Sequence, residues 1–286
     1  MVQASAEEPL VAIFWECGCL GVESRSAGGP RRPRVALTAW FPGARRRGAL
    51  RTGILAAGAA AGLTDLRIRL DGARQEPWVE RWQRSLRPMP IGRSFLVVPE
   101  GKRPPAARGR RILRVRFGQA FGTGEHASTR ICLELLEDHL RIDDRVADVG
   151  TGTGLLAMAA AILGAGAVLA LDDDPIALAV ARTNLRANRL GDRVRLRRAD
   201  ASAVRAAGRF DLILMNIGAR VVHRVLPDLA ASLAPGGVAI LAGFLQGDER
   251  PLVARARAAG LIVVDRRRAP PWAALVVRRP DRSRRA

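Results

Sequence analysis

A short apolar strand running straight into a glycine turn, VADVGTGTG over residues 146–154, constrains this chain more than any other feature. Val146, Ala147 and Val149 are its apolar positions, Gly150, Gly152 and Gly154 follow, and Leu155 to Leu163 reads as a helix free of Pro and Gly. Glycines at such a joint let the chain turn sharply and bring its backbone against a ligand with no Cβ in the way. Asp172 closes the next apolar strand, AVLAL, 22 residues after Gly150. That is near the offset of about 20 residues at which an acid reaches the hydroxyls of a bound ribose. A carboxylate can accept both hydroxyl protons.

Taken alone, the turn is ambiguous. Read from Gly150, the dinucleotide pattern GxGxxG fails at Leu155; read from Gly152, it passes in the GxGxxA form with Ala157 last. A nicotinamide site and a turn with no ligand both stay open on this segment. Asp173 and Asp174 read as solvated loop acids, with Asp174 placed to cap a helix beginning at Pro175.

A third piece narrows the choice. Phe210 to Met215 is an apolar strand ending in Asn216, followed by a helix from about Arg220 to Leu233, a Pro235-Gly236-Gly237 turn and the strand VAILAG. The asparagine carbonyl can accept a hydrogen bond from an attacking amine without adding a charge that would favour the ammonium form. The plain alternative is a turn asparagine bonded to its own backbone. The order and spacing of the three strand ends fit the S-adenosyl-L-methionine pocket of a class I methyltransferase, at the carboxyl edge of an open α/β sheet.

These residues, with FGQAFGTGEHASTRICLELLE just upstream, resemble the PrmA-type methyltransferases, which modify amino groups of the large-subunit ribosomal protein L11. The similarity covers nearly the whole chain. WECGCLGVE resembles the family's early helix-turn segment and WVERWQRSLRPMPIGRSFLVVP its linker signature; FGTGEHAST, DVGTGTG, LDDDP, MNI and APGG follow in family order. The FGTGxH run is the most specific piece, because generic methyltransferases lack it.

Carried over by position, the resemblance implies cofactor contacts at Thr129, Gly150, Asp172 and Asn216, and we assign Gly152, Asp148 and Asp200 to the same set. It also implies that the loop holding Gly122, Thr123, Gly124 and His126 closes over the methionine end of the cofactor. Asn216 and His126 are the catalytic candidates, His126 as a positioning group rather than a base. Ser128 or Thr129 can cap the helix RICLELLEDHL.

The chain departs from the family at Ala127, where proline is frequent, and at Thr151, where cysteine is frequent. Family members also open with a β-strand, whereas here the helical run EEPLVAIFWEC begins almost at once. The small ferredoxin-like domain is therefore expected to lack its first strand, through a reduced domain or a start placed too late. In the family that domain docks the protein substrate, so the departure bears on substrate more than on chemistry.

The fold expectation is α/β: a Rossmann-like class I methyltransferase sheet (residues 112–286) joined by a linker (73–111) to a small α+β substrate-recognition domain (1–72). In the small domain, residues 7–17 and 46–62 read as helices, and GVESRS, RVALTAWF and TDLRIRL as strands. The linker carries the helix PWVERWQRSL, with Trp78 and Trp82 four apart as packing anchors. Strands near 146–149, 167–171, 193–197, 209–215, 237–242, 260–265 and 273–278 alternate with helices. Between the last two, DRRRAPPW is too short for a crossover helix, so they should pair antiparallel.

Composition excludes several other classes. Cys17, Cys19 and Cys132 have the wrong spacing for a zinc site and an odd count for a disulfide framework. No run reaches the roughly 18 apolar residues of a membrane span, and the start lacks the basic and apolar regions of a secretory signal, so a cytoplasmic monomer is expected. The formal charge of +20 points at face value to RNA. Yet Lys102 is the only lysine, tyrosine is absent, and the arginines are spread along the chain, which is how a coding bias looks. RPPAARGRR and RRPDRSRRA are the best candidates for ribosomal RNA phosphate contacts, with solvated loop and tail as the plainer reading.

The leading expectation is thus a protein amine N-methyltransferase acting on a ribosomal protein. A relative acting on lysines of an electron-transfer flavoprotein and an inactive cofactor-binding module associated with the ribosome are the alternatives. A nicotinamide oxidoreductase would need a hydride-transfer set, and no Tyr/Lys or His/Asp pair is evident.

Overall fold

Two apolar stretches of the first 76 residues meet through their helices, and a computed structural model shows how. It describes residues 2–3, 6–17, 19, 21–26, 34–41, 47–60, 62–63, 66–70, 86–116 and 127–281. The chain divides into two compact units, residues 1–76 and 77–286.

The first unit contains β1 (Val2–Gln3), α1 (Glu7–Glu16), β2 (Gly21–Ser26), β3 (Arg34–Trp40) and α2 (Arg47–Ala60). Its sheet runs β1-β3-β2, antiparallel throughout. Leu10 and Ile13 of α1 and Ile54 of α2 form its core, and the Phe14 and Phe41 rings meet edge to face at 6.2 Å. A strand therefore does precede α1, contrary to the sequence expectation: Val2 pairs with Val35 and Gln3 with Arg34. Two residues are too short for any periodic signal. Conversely, the described part of TDLRIRL, Leu66 to Leu70, forms no strand. Its apolar alternation serves packing instead, since Leu66 and Ile68 lie against the unit's core.

The second unit begins where a connector was expected. β4 (Met89–Ile91), β5 (Phe95–Pro99) and β6 (Arg111–Val115) make a three-stranded sheet, with β4 antiparallel and β6 parallel to β5. All five residues of β5 are buried, and Ile91, Phe95, Val97, Leu113 and Val115 join the main core. Their register depends on partners distant in sequence. Glu137 accepts from the Arg93 and Ser94 amides at 2.8 and 2.6 Å, and the Arg110 guanidinium donates to the Gly92 and Phe95 carbonyls. Arg110, expected among the phosphate-contacting arginines, is instead a clip holding this hairpin. Trp78 and Trp82, and the helix expected to carry them, lie outside the described residues.

After α3 (Ala127–His139), strands and helices alternate: β7 (Arg145–Val149), α4 (Leu155–Leu163), β8 (Ala167–Asp172), α5 (Pro175–Ala187), β9 (Val194–Arg198), a 3-10 turn (Ala201–Ala207), β10 (Phe210–Asn216), α6 (Ala219–Ser232), β11 (Leu233–Leu245), α7 (Glu249–Ala258), β12 (Ile262–Ala269) and β13 (Trp272–Arg278). The seven strands stand in the order β12-β13-β11-β10-β7-β8-β9. β13 runs antiparallel to both neighbours, as the short β12–β13 connection requires. Both faces are covered, which is why the central strands read as continuous apolar runs. Leu212 and Leu214 pack on one face with Val146, and Ile213 and Met215 on the other with Ala147 and Val149.

The Pro235-Gly236-Gly237 turn does not precede β11 but is absorbed in its irregular start. Opposite Phe210 and Leu212 the register jumps from Leu233 to Val238, with Gly236 at φ 78°. Among the described residues, no helix is long and apolar enough to cross a membrane. None of the three cysteines forms a disulfide.

Candidate active site

Register alone gathers three of the expected residues. Val149 is level with Leu171 on one side and Met215 on the other, so the next residues, Gly150, Asp172 and Asn216, emerge together at the carboxyl edge of the sheet. Gly150 has φ 74°, and a Cβ there would stand 2.3 Å from Cδ1 of Ile217, the residue after Asn216. The left-handed backbone is what favours glycine at this position.

The turn is held by its own amides. Gly150 and Thr151 N–H donate to the Leu171 carbonyl at 2.8 and 2.9 Å, and Gly154 N–H to that of Thr151 at 2.9 Å. Asp172 is fixed through both oxygens: Oδ2 accepts from Gly152 N–H at 2.8 Å and Oδ1 from Asp174 N–H at 3.0 Å. Each oxygen keeps a further lone pair, so the oriented carboxylate can still accept from a diol. Asp174 caps α5 through the Ile176 amide, as expected.

Asp148 faces inward. It is 1% exposed, and Oδ2 accepts from the Thr151 hydroxyl at 2.6 Å and the Ala157 amide at 3.0 Å, while Oδ1 has no partner among the described residues. Burial, against the pull of these two donors, pushes its carboxyl up to about 6. Asp148 thus braces the turn from below, and Thr151, which stands where the family often has cysteine, is its hydroxyl donor. The signal in the sequence was a hydroxyl three residues after a buried acid.

Asn216 and Thr129 meet. Nδ2 of Asn216 donates to the Thr129 hydroxyl at 3.2 Å, and Thr129 is 1% exposed in the first turn of α3. That helix starts at Ala127, so neither Ser128 nor Thr129 is its cap; both are buried in its first turn instead. Asn216 Oδ1 is buried and has no partner among the described residues. Such orphans are rare, because an unpaired buried acceptor costs roughly 1–3 kcal/mol. Gly243 makes room for it: at φ 85°, a Cβ would sit 2.9 Å from that oxygen. No sequence signal marked Gly243, whose partner lies on the neighbouring strand.

Asp200 lies just beyond β9, next to Ala199, whose amide donates to the Asp172 carbonyl at 2.9 Å. Its own carboxylate caps the 3-10 turn through Ser202 N–H at 2.9 Å and pairs with Arg224 at 3.2 Å. The Ser202 amide first, then the Ser202 hydroxyl and the Arg224 charge, hold it below the usual carboxylate range. Gly122, Thr123, Gly124 and His126 lie outside the described residues. Among the described residues, no group of three or more His, Cys, Asp or Glu could hold a metal ion.

An open sheet with a glycine turn, an oriented acid and an orphaned amide at one edge is common to many transferases, so comparison with known proteins has to decide among them. The family model described as ribosomal protein L11 methyltransferase (PrmA) matches residues 1–280. The chain belongs to that family. It is 40% identical over 228 residues to the ribosomal protein L11 methyltransferase of Pelobacter propionicus, covering 78% of this chain and 73% of that one. To the enzyme of the same name from Sorangium cellulosum it is 36% identical over 253 residues, covering 85% and 77%. Among solved structures, the ribosomal protein L11 methylase of Lactobacillus delbrueckii subsp. bulgaricus superposes with a TM-score of 0.63 at 27% identity, covering 68% of this chain and 98% of that one. As a member of the L11 methyltransferase family, the chain is a class I methyltransferase that uses S-adenosylmethionine as methyl donor.

Proposed function

We propose that the edge formed by Thr129, Gly150, Gly152, Asp172 and Asn216 holds S-adenosylmethionine, and that the enzyme methylates amines of ribosomal protein L11, as its relatives are named for doing. The observation that carries this is Asn216 Oδ1, buried beside Gly243 and without a hydrogen-bond partner among the described residues. When bound, the donor supplies a methyl group already made electrophilic by its sulfonium. The protein's own part is to position and desolvate. Asp172, oriented by the Gly152 and Asp174 amides, accepts from the ribose hydroxyls. Gly150 and Gly152 let backbone approach the donor without a Cβ in the way. Asn216 Oδ1 accepts a hydrogen bond from the neutral amine and holds it in line, where alignment and removal of water supply most of the rate. Asp148 serves the donor indirectly, through the turn it braces. His126 positions the amine from the FGTGEH run.

Labelled donor incubated with purified L11, followed by peptide mapping, tests the reading. Label on L11 amines with wild type and its loss with Asn216→Ala is the expected result. Label on another ribosomal protein, or none on L11, would overturn the substrate assignment.

RNA contact is proposed for one groove, lined by Arg250 and Arg257 of α7 and by Arg266 and Arg268 of β12, the last two paired with the Glu249 carboxylate. Four arginines lining one groove, with a single carboxylate shared by two of them, suit a phosphate backbone. Binding of ribosomal RNA that is unaffected by Arg250→Ala with Arg257→Ala would remove this assignment.

A further inference from the structure

Among the described residues, no strand lies beside the edge of β6 turned away from β5, yet the backbone is paired at Arg114 within β6 and at Arg116 just past its end. Asn188 accepts from Arg114 N–H at 2.9 Å and donates to the Arg114 carbonyl at 2.7 Å. Asn184 repeats the pattern on Arg116, accepting at 2.7 Å and donating at 3.1 Å. A primary amide carries the donor and acceptor of a peptide group, so each asparagine stands in for one residue of a missing strand. The spacing allows it: four residues of helix rise about 6.0 Å, and two residues of strand about 6.6 Å. Asn188 at the C-cap of α5 and Asn184 within it therefore match Arg114 in β6 and Arg116 just past its end.

The two asparagines differ in their third partner. Asn188 Nδ2 also reaches the Asn184 carbonyl at 2.8 Å and the Met158 sulfur at 3.3 Å. Asn184 Nδ2 instead donates to the Thr153 carbonyl at 2.8 Å, inside the glycine turn, and Asn184 is 1% exposed. Thr153 stands between Gly152 (φ 55°) and Gly154 (φ 80°), and Gly154 begins α4 with no side-chain cap. Glycine tolerates several backbone conformations at little cost, and although the Gly154 N–H of the Thr153–Gly154 peptide is held inside the turn by the Thr151 carbonyl, it is Asn184 that ties the carbonyl end of this peptide to another element. Arg116, on the other arm of Asn184, is the residue from which the chain enters FGQAFGTGEH.

We propose that Asn184 is a positioning residue for the methyl donor: it locks the Thr153–Gly154 peptide of the glycine turn to the end of β6. The proposal rests on the reading that this turn holds the donor. Asn188 supplies the matched control, since it makes the same paired contacts to β6 and none to the turn.

The test is calorimetric titration of wild type, Asn184→Ala and Asn188→Ala with S-adenosylmethionine, beside thermal unfolding and steady-state kinetics. Both variants should unfold at similarly lowered temperatures. Asn184→Ala should raise Kd and KM for the donor about tenfold, the scale of one well-placed hydrogen bond, with kcat at saturating donor little changed. Asn188→Ala should stay within about twofold of wild type. Wild-type affinity in Asn184→Ala, or an equal loss in both variants, overturns the proposal. Absence of binding by wild type overturns the underlying reading of the turn instead. If Asn184→Ala does not fold, Asn184→Asp takes its place: it keeps the acceptor for Arg116 N–H but sets an oxygen against the Thr153 carbonyl, and the same loss of affinity is expected.

Discussion

The Thr151 hydroxyl donates to Asp148 Oδ2 at 2.6 Å, tying the glycine turn back onto the strand that leads into it. The bond matters because Asp148 is buried and its other oxygen has no partner. Thr151→Val keeps the shape and removes the donor. Unfolding stability should fall by roughly 1–3 kcal/mol, the cost of leaving a buried acceptor less satisfied, and donor affinity should fall with it. Denaturant unfolding checks the first, and a variant as stable as wild type would show that the bond contributes nothing.

Burial raises the Asp148 carboxyl to about 6, above the value near 3.9 of an unfolded chain, so the folded state holds this proton more tightly. For an acid shifted in this direction, folding is favoured by protonation. The contribution of Asp148 to stability should therefore decline as pH rises from about 4 to about 6 and stay level above that, by about 2–3 kcal/mol in all. Asp148→Asn removes the titration. Its stability relative to wild type should be more favourable at pH 7 than at pH 4.5, measured by denaturant unfolding at both. A difference independent of pH would mean the carboxyl is not shifted upward.

Much of the catalytic sheet was legible because each strand announces its own end. VADV stops at Gly150, AVLAL at Asp172 and FDLILM at Asn216, and a parallel sheet buried on both faces needs only those runs and their punctuation. β4 to β6 were illegible for the opposite reason. The amides of Arg93 and Ser94 find Glu137 more than 40 residues on, and Arg114 and Arg116 find Asn188 and Asn184 at separations of 74 and 68. No local period encodes such partners, and the surrounding prolines, glycines and arginines read as loop. The same holds within the site, where Gly243 and Ile217 shape the Asn216 and Gly150 neighbourhoods across strands.

Asp172 offers a cleaner separation of binding from turnover. Its oxygens are held by two backbone amides, so truncation to alanine removes an oriented acceptor and also releases Gly152 N–H. Asp172→Ala should weaken S-adenosylmethionine binding about tenfold or more, since hydrogen bonds to a charged group contribute roughly 1.5–3 kcal/mol. Calorimetric titration reads this directly, and unchanged affinity would remove the ribose role.

Asn216 should behave in the opposite way. Its Nδ2 is committed to Thr129, and its free Oδ1 is the acceptor offered to the amine. Asn216→Ala should lower kcat about a hundredfold and donor affinity by much less, because alignment of the amine is lost while the rest of the donor's edge remains. Asn216→Asp distinguishes this from a loss of packing, since it keeps the shape and an acceptor but adds a charge. A carboxylate beside the amine stabilises the ammonium form, so the rising limb of the pH–rate profile should move to higher pH than in wild type. Equal pH profiles for Asn216→Asp and wild type, with normal kcat in Asn216→Ala, would place the amine elsewhere.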